Sequence, residues 1–213
     1  MTDQPLIAVD VVPIAWTQTG LVVGTARRRF EPFIGQFALP GVLLGTGERL
    51  AEAASRALDS KAGIRPSSVR HRFQIGAFDG PNREPRRHAI SVAFVAVIAP
   101  NVVDDGAAGV SWTSADEEPT LPFDHNSIVT MALAQVRQRL WSDDDTTRAL
   151  TGPWFSTPDA VRLTSDVTGE PVHQSNLRRA LSGHSQLRST QAPDVGKPGR
   201  RPLVWEWSSA DDD

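Results

Sequence analysis

Apolar positions along the chain follow two rhythms, and the change from one to the other marks the elements. Residues 6–16 and 21–26 are rich in Val and Ile and are separated by the turn signal Thr19-Gly20, which predicts two strands. A third extended piece, 35–39, ends at Pro40-Gly41. From 48 to 62 the spacing changes: Leu50, Ala54 and Leu58 recur every four residues, which predicts a helix, with Gly63 as its stop. Strands return at 70–78, 89–98 and 110–112. Asp124 is placed to cap a helix with the apolar stripe Ile128, Ala132, Val136 and Leu140. The acidic polar run 142–147 then reads as the end of a domain.

A second unit begins near Trp154. Ser156-Thr157-Pro158-Asp159 is a helix start with a hydroxyl cap, proline in the first turn and an acid after it. Ala160, Leu163 and Val167 form its stripe, and Gly169 ends it. A second helix is expected over 172–182, stopped by Gly183, then two strands at 187–190 and 203–207. The loop joining these strands is rich in Gly, Pro and Arg. Leu203, Trp205 and Trp207 alternate, so one face of the last strand packs inward. In the second helix Leu177, Ala180 and Leu181 are expected on the core face, leaving Ser175, Arg178, Arg179 and Ser182 outward and Asn176 at the edge.

Composition narrows the chemistry. The 213 residues include no Cys and no Tyr, which excludes disulfides, thiolate metal sites and both kinds of nucleophile. The longest strongly apolar stretch, 89–99, falls far short of the roughly 20 residues of a membrane span, and residues 2–4 lack a secretory pattern. The expected location is the cytoplasm. The formal net charge of −3 is unevenly spread. Between His173 and Arg201 six basic residues face one acid, Asp194, so that segment carries +5 and the remainder −8. Arg178, Arg179 and Arg188 with Lys197, Arg200 and Arg201 suit a phosphate-contacting surface, although a solvated basic loop has the same composition.

Strand, glycine-rich loop and helix follow one another through 38–64, an order that suits a pyrophosphate as well as a plain connection. Glu48, Arg56, Leu58, Gly63 and Ile64, after Ala38-Leu39-Pro40-Gly41, resemble the box of the Nudix hydrolases at that family's spacing. Val42 stands at the box's first glycine, and Ala57, Ser60 and Lys61 stand at its three metal-binding glutamates. At 100° per residue positions 57, 60 and 61 share a helix face, which here carries a methyl, a hydroxyl and an ammonium. Hard divalent cations need oxygen ligands, and only Glu48 remains, so the expectation is a Nudix fold without metal or hydrolysis. Lys61 could then neutralise a pyrophosphate directly, or face solvent.

The resemblance covers about 6–140 and is strongest to the branch that binds ADP-ribose, through Glu84-Pro85-Arg86-Arg87-His88 before the strand at 90–94, and Phe123-Asp124-His125. Arg86 suits a diphosphate; Phe123 or His125 suits an adenine, and His125 equally suits a helix start. Arg27, Arg28 and Arg29 add to the phosphate field or stand exposed at a strand end. Two helices and a basic hairpin are laid out as a winged helix, with Arg178 and Arg179 on the reading helix and 196–201 as the wing; a winged helix that docks a protein has the same layout.

The whole chain is similar to the Nudix-related transcriptional regulators of NAD metabolism. The fold expected is α+β: a Nudix α/β/α sandwich with a mixed sheet over 1–145, then a winged helix-turn-helix over 152–208. The resemblance implies a homodimeric repressor of NAD biosynthesis or salvage genes that binds a palindromic double-stranded operator and releases it on binding ADP-ribose. It implies effector contacts from Arg27, Glu48, Lys61, Arg86, Phe123 and His125. It implies DNA contacts from Ser175, Asn176, Arg178, Arg179, Arg188, Lys197, Arg200 and Arg201. Two rivals remain at this point: an active pyrophosphatase with an atypical metal site, and an ADP-ribose-binding module whose second unit docks a protein.

Overall fold

The computed structural model describes residues 4–80, 83–85, 87–104, 109–117, 119–191 and 203–208. The chain divides into two compact units, Met1–Gln138 and Arg139–Asp213. Among the described residues no helix is long and apolar enough to cross a membrane.

The first unit is built on a seven-stranded mixed sheet. β1 (Leu6–Thr17) turns at Gly20 into β2 (Gly20–Arg27), which pairs with it antiparallel. β3 (Phe37–Ala38) extends β2, and β4 (Gly41–Leu43) pairs with the start of β1. The helix α1 (Leu50–Ala57) follows and runs into a π turn, Leu58–Ala62, closed by Gly63 at φ 67°. β5 (Val69–Phe78) and β6 (Ala89–Ile98) pair antiparallel, and β6 lies parallel to β1. A short helix, α2 (Asn101–Asp104), leads toward β7 (Val110–Ser114), which pairs with β2. The longest helix, α3 (His125–Arg139), completes the unit. Strand order is β3-β2-β1-β6-β5, with β4 on β1 and β7 on β2.

Nearly every residue from Val9 to Thr17 is buried, so β1 is covered on both faces, as a strand at the centre of a layered fold must be. On one face Val9, Val11 and Ala15 share a core with Ala53, Ala54, Ala57, Leu58 and Ala62 of α1 and its π turn. The run of alanines lets the helix approach the sheet closely. The stripe Ile128, Ala132 and Val136 of α3 is fully buried, as its four-residue spacing requires.

The second unit contains α4 (Asp144–Thr151), β8 (Trp154–Ser156), α5 (Thr157–Thr168), α6 (Gln174–Ser182), β9 (Leu187–Gln191) and β10 (Leu203–Trp207). Its strands form an antiparallel sheet in the order β8-β10-β9. Helix, strand, two helices and a hairpin make a winged helix. Phe155, Ala160, Leu177, Leu181, Leu187, Trp205 and Trp207 form its core. Each buried indole finds a hydroxyl: Trp205 Nε1 donates to Thr157 Oγ1 (3.0 Å) and Trp207 Nε1 to Thr151 Oγ1 (3.1 Å).

Five expectations need correcting. The acidic run does not end the first unit; it starts α4 of the second, because Asp143 accepts the Thr146 N–H (2.8 Å) and Asp144 and Asp145 favour the positive helix end. The second helix starts at Gln174 rather than 172, and Ala180 is exposed, since Leu177 and Leu181 alone fill the narrow face of so short a helix. The extended piece 35–39 is only Phe37–Ala38, followed after Pro40 by a separate strand. The carboxylate of Asp124 does not cap α3, because Arg83 holds it.

Candidate functional site

A cleft of about 300 Å³ opens in the first unit, between the loop after β2, strand β4, the π turn and the start of α3. Its floor is a buried ionic network. Asp10 interrupts the apolar run of β1 and is only 6% exposed. Its Oδ2 accepts from Ser91 Oγ (2.6 Å) and from Arg83 Nη2 (3.2 Å). Arg83 also holds Asp124 bidentately, through Nε (2.9 Å) and Nη2 (3.0 Å). Burial alone would weaken the guanidinium's hold on its proton, but the Asp124 hydrogen bonds and the charges of Asp10 and Asp124 more than reverse this and raise its pKa. Gly41 pairs with Asp10 across the β1–β4 ladder, and a Cβ at Gly41 would collide with the Asp10 carboxylate.

His125 lies beside this network, 3% exposed. Its Nδ1 accepts the Leu39 N–H (3.0 Å), so the ring proton sits on Nε2, which faces Asp10 Oδ1 at 3.8 Å. Burial pushes its pKa down against the pull of Asp10 and Asp124, which keeps the ring neutral. Phe123 packs at a tilt against His125, with centroids 5.1 Å apart, and meets Phe33 edge-on at 5.0 Å.

The wall carries more cations than carboxylates, with Glu31 and Glu84 as its acids. Arg27, Arg28, Arg29 and Lys61 all line the cleft. Arg28 is committed to structure: its Nε donates to the Pro32 carbonyl (2.8 Å), and its guanidinium lies 4.7 Å from the Phe123 centroid. Arg27 Nε donates to the Gly35 carbonyl (3.1 Å). Lys61 is half-buried, with Nζ 5.5 Å from the centroid of Phe30, itself exposed at the mouth.

Of the six residues expected at an effector, Arg27, Lys61, Phe123 and His125 thus meet in one cleft. Arg86 lies outside the described residues. Glu48 does not line the cleft; Arg56 takes its carboxylate through Nε (2.8 Å) and Nη2 (2.7 Å), and Oε2 also accepts the Gly45 N–H (2.8 Å). The Arg56 hydrogen bonds first, and the Gly45 amide second, hold its pKa down at about 2. The π turn over Leu58–Ala62 departs from the 100° rhythm that sets positions 57, 60 and 61 on one face, and the three side chains meet different surroundings. Ala57 is fully buried in the core, Ser60 is exposed with Oγ donating to the Arg56 carbonyl (2.6 Å), and Lys61 turns to the cleft. A divalent cation of the kind the resemblance implies does not fit these donors, since the one box carboxylate is already spent on Arg56. The residues missed from sequence are Arg83 and Asp10. A carboxylate inside the apolar run 6–16 was the available signal, because a buried charge needs a partner.

In the second unit α6 presents Ser175, Asn176, Arg178 and Arg179 to solvent, and Arg188 is exposed on β9. Lys197, Arg200 and Arg201 lie outside the described residues.

No family model matches the chain. An ADP-ribose pyrophosphatase of Methanocaldococcus jannaschii is 31% identical over 105 residues, which are 48% of this chain and 60% of that protein's length. Among solved structures, Shewanella oneidensis NrtR complexed with a 27mer DNA matches with a TM-score of 0.77, over 95% of this chain and 93% of that one, at 20% identity. The NUDIX domain of Shewanella oneidensis NrtR complexed with ADP ribose matches 63% of this chain and 90% of its own, at 22% identity and a TM-score of 0.53. Over nearly its whole length the chain has the α+β fold of NrtR, a Nudix-type mixed-sheet unit followed by a winged helix.

Proposed function

We propose that the chain is a DNA-binding transcriptional repressor of NAD biosynthesis or salvage genes, whose first unit senses ADP-ribose without hydrolysing it and whose second unit grips the operator. The observation that carries this reading is the cleft itself. It sets Arg27, Arg29 and Lys61 around a space of about 300 Å³, and the helix beside it offers an ammonium where a hydrolase of this fold would hold a metal. Such a site binds a diphosphate through charge-assisted hydrogen bonds and aromatic faces, with no cation to activate water. NrtR supports both halves, because its solved structures include one with DNA and one with ADP ribose.

On this reading α6 lies in the major groove with Arg178 and Arg179 toward base edges and phosphates, and Arg188 adds a backbone contact. Two chains bind a palindromic operator in the cytoplasm, and ADP-ribose releases them because it favours a geometry that DNA does not. A gel shift on promoters of NAD-synthesis genes tests this. The expected result is a retarded band that ADP-ribose abolishes; absence of any salt-sensitive DNA binding overturns it.

One observation favours a second reading. The 31% identical relative is an ADP-ribose pyrophosphatase, matched over 105 residues, which are 48% of this chain. Release of AMP and ribose 5-phosphate from ADP-ribose with Mg²⁺ or Mn²⁺ would establish that activity.

A further inference from the structure

Three consecutive residues, Phe123, Asp124 and His125, are tied to the cleft and open directly into α3. Phe123 and His125 line the cleft, and Arg83 on its floor grips Asp124. α3 then runs without a break to Arg139, and the chain passes into its second unit after Gln138. A 15-residue α-helix is a rigid rod of roughly 22 Å.

Asp124 stands at the N-cap position, and its backbone carbonyl already accepts the Ile128 N–H (3.2 Å). Its carboxylate is nevertheless spent on Arg83. The amides of Asn126 and Ser127, in the first turn, have no acceptor within the helix and are the ones an N-cap carboxylate normally satisfies. Arg83, in turn, leaves Nη1 without a hydrogen bond among the described residues, although it lines the cleft. A guanidinium fork fits a phosphate as well as a carboxylate, so an anion in the cleft competes with Asp124 for the same donors.

We propose that the Arg83–Asp124 pair is a latch on the N-terminus of α3, opened by the diphosphate of a bound nucleotide. This rests on the ADP-ribose reading of the cleft. Without an anion on Arg83, the guanidinium holds Asp124 and the first turn of α3 is uncapped. With an anion bound, Arg83 turns to it while keeping Asp10, and Asp124 caps Asn126 and Ser127 instead. The two arrangements are discrete, because one carboxylate cannot serve both partners. Occupancy is thereby converted into a change at the start of the helix that leads to the second unit, which supplies the two-state element that coupling between sites requires. Arg83 and Asp124 are positioning residues in this scheme, not a catalytic pair.

Hydrogen exchange on the full chain tests the latch without any DNA. In the wild type, saturating ADP-ribose is expected to slow exchange at Asn126 and Ser127 at least about threefold, and inorganic diphosphate to do the same. In Asp124→Asn the neutral amide no longer holds Arg83 and caps the helix constitutively. Exchange there is expected to be slow already and not to respond, while ADP-ribose affinity by calorimetry rises at least about threefold, because the competitor for Arg83 is gone. If ADP-ribose does not bind the wild type at all, both the sensor reading and the latch fall. If it binds and exchange at Asn126 and Ser127 is unchanged, or if Asp124→Asn responds as the wild type does, the latch alone is overturned. A full response to adenosine, which carries no phosphate, also overturns it. The wild-type arm decides the matter even if the variant fails to fold.

Discussion

Two charged residues that the box spacing places together end up with different tasks. Glu48 is a structural carboxylate: it clips the loop before α1 to Arg56 and to the Gly45 amide. A group held at about 2 in the fold, against about 4.5 free, favours folding above the higher value and loses that contribution as pH falls toward the lower one. Glu48→Gln is therefore expected to lower the urea midpoint by a constant amount above pH 5, with the difference from wild type closing between about 4.5 and 2. A difference that persists at pH 2 would show that packing, not charge, is what the substitution removes. Lys61 has the opposite character, since its charge is directed to the cleft rather than to a carboxylate partner. Lys61→Ala is expected to weaken ADP-ribose binding by about tenfold or more, the usual loss for one charge-assisted bond, with little change in unfolding midpoint. Equal affinity in a titration would remove Lys61 from the site.

At the scale of elements, the helix that can be checked most simply is α5. Ser156 Oγ accepts the Asp159 N–H (3.2 Å), while Asp159 Oδ2 accepts the Ser156 N–H (3.0 Å), and Gly169 closes the helix at φ 73°. Ser156→Ala is expected to cost about 1 kcal/mol, read as a lower midpoint for the second unit's transition. These signals were legible because each is local: a cap and its acid three residues apart, a glycine after the last buried turn. The strands β1, β2 and β6 were legible for the same reason, through runs rich in β-branched residues. β8 has three residues and no period to read, and α4 is concealed by an acidic run whose composition suits a linker as well as a helix start. The π turn at Leu58–Ala62 is invisible to a rule of 100° per residue, so the different surroundings of Ala57, Ser60 and Lys61 are not legible in their spacing. The floor of the cleft was hidden for a different reason. Asp10 and Arg83 are 73 positions apart, and only the parallel pairing of β1 with β6 brings their segments together.

For the whole molecule, the uneven charge of the chain makes the clearest claim. An acidic remainder of −8 repels a polyanion, so the second unit must supply the attraction through a small number of cations, and each should count. Arg178 and Arg179 are both exposed on α6, on the side away from Leu177 and Leu181. Their removal leaves the core of that unit and the cleft of the first unit untouched. Arg178→Ala and Arg179→Ala are each expected to weaken operator binding by roughly 1–3 kcal/mol if they reach base edges, and to erase the preference over unrelated DNA at the position read. A substitution that instead weakens all sequences alike, and makes the logarithm of affinity less steep against the logarithm of salt by about one unit, assigns that arginine to a phosphate. In both cases ADP-ribose affinity should be unchanged. Anisotropy titrations of a specific and a scrambled duplex across a salt series separate these outcomes. Loss of ADP-ribose binding in the same variants would mean that α6 contributes to the effector site, and would end the division of labour in which the first unit senses and the second grips.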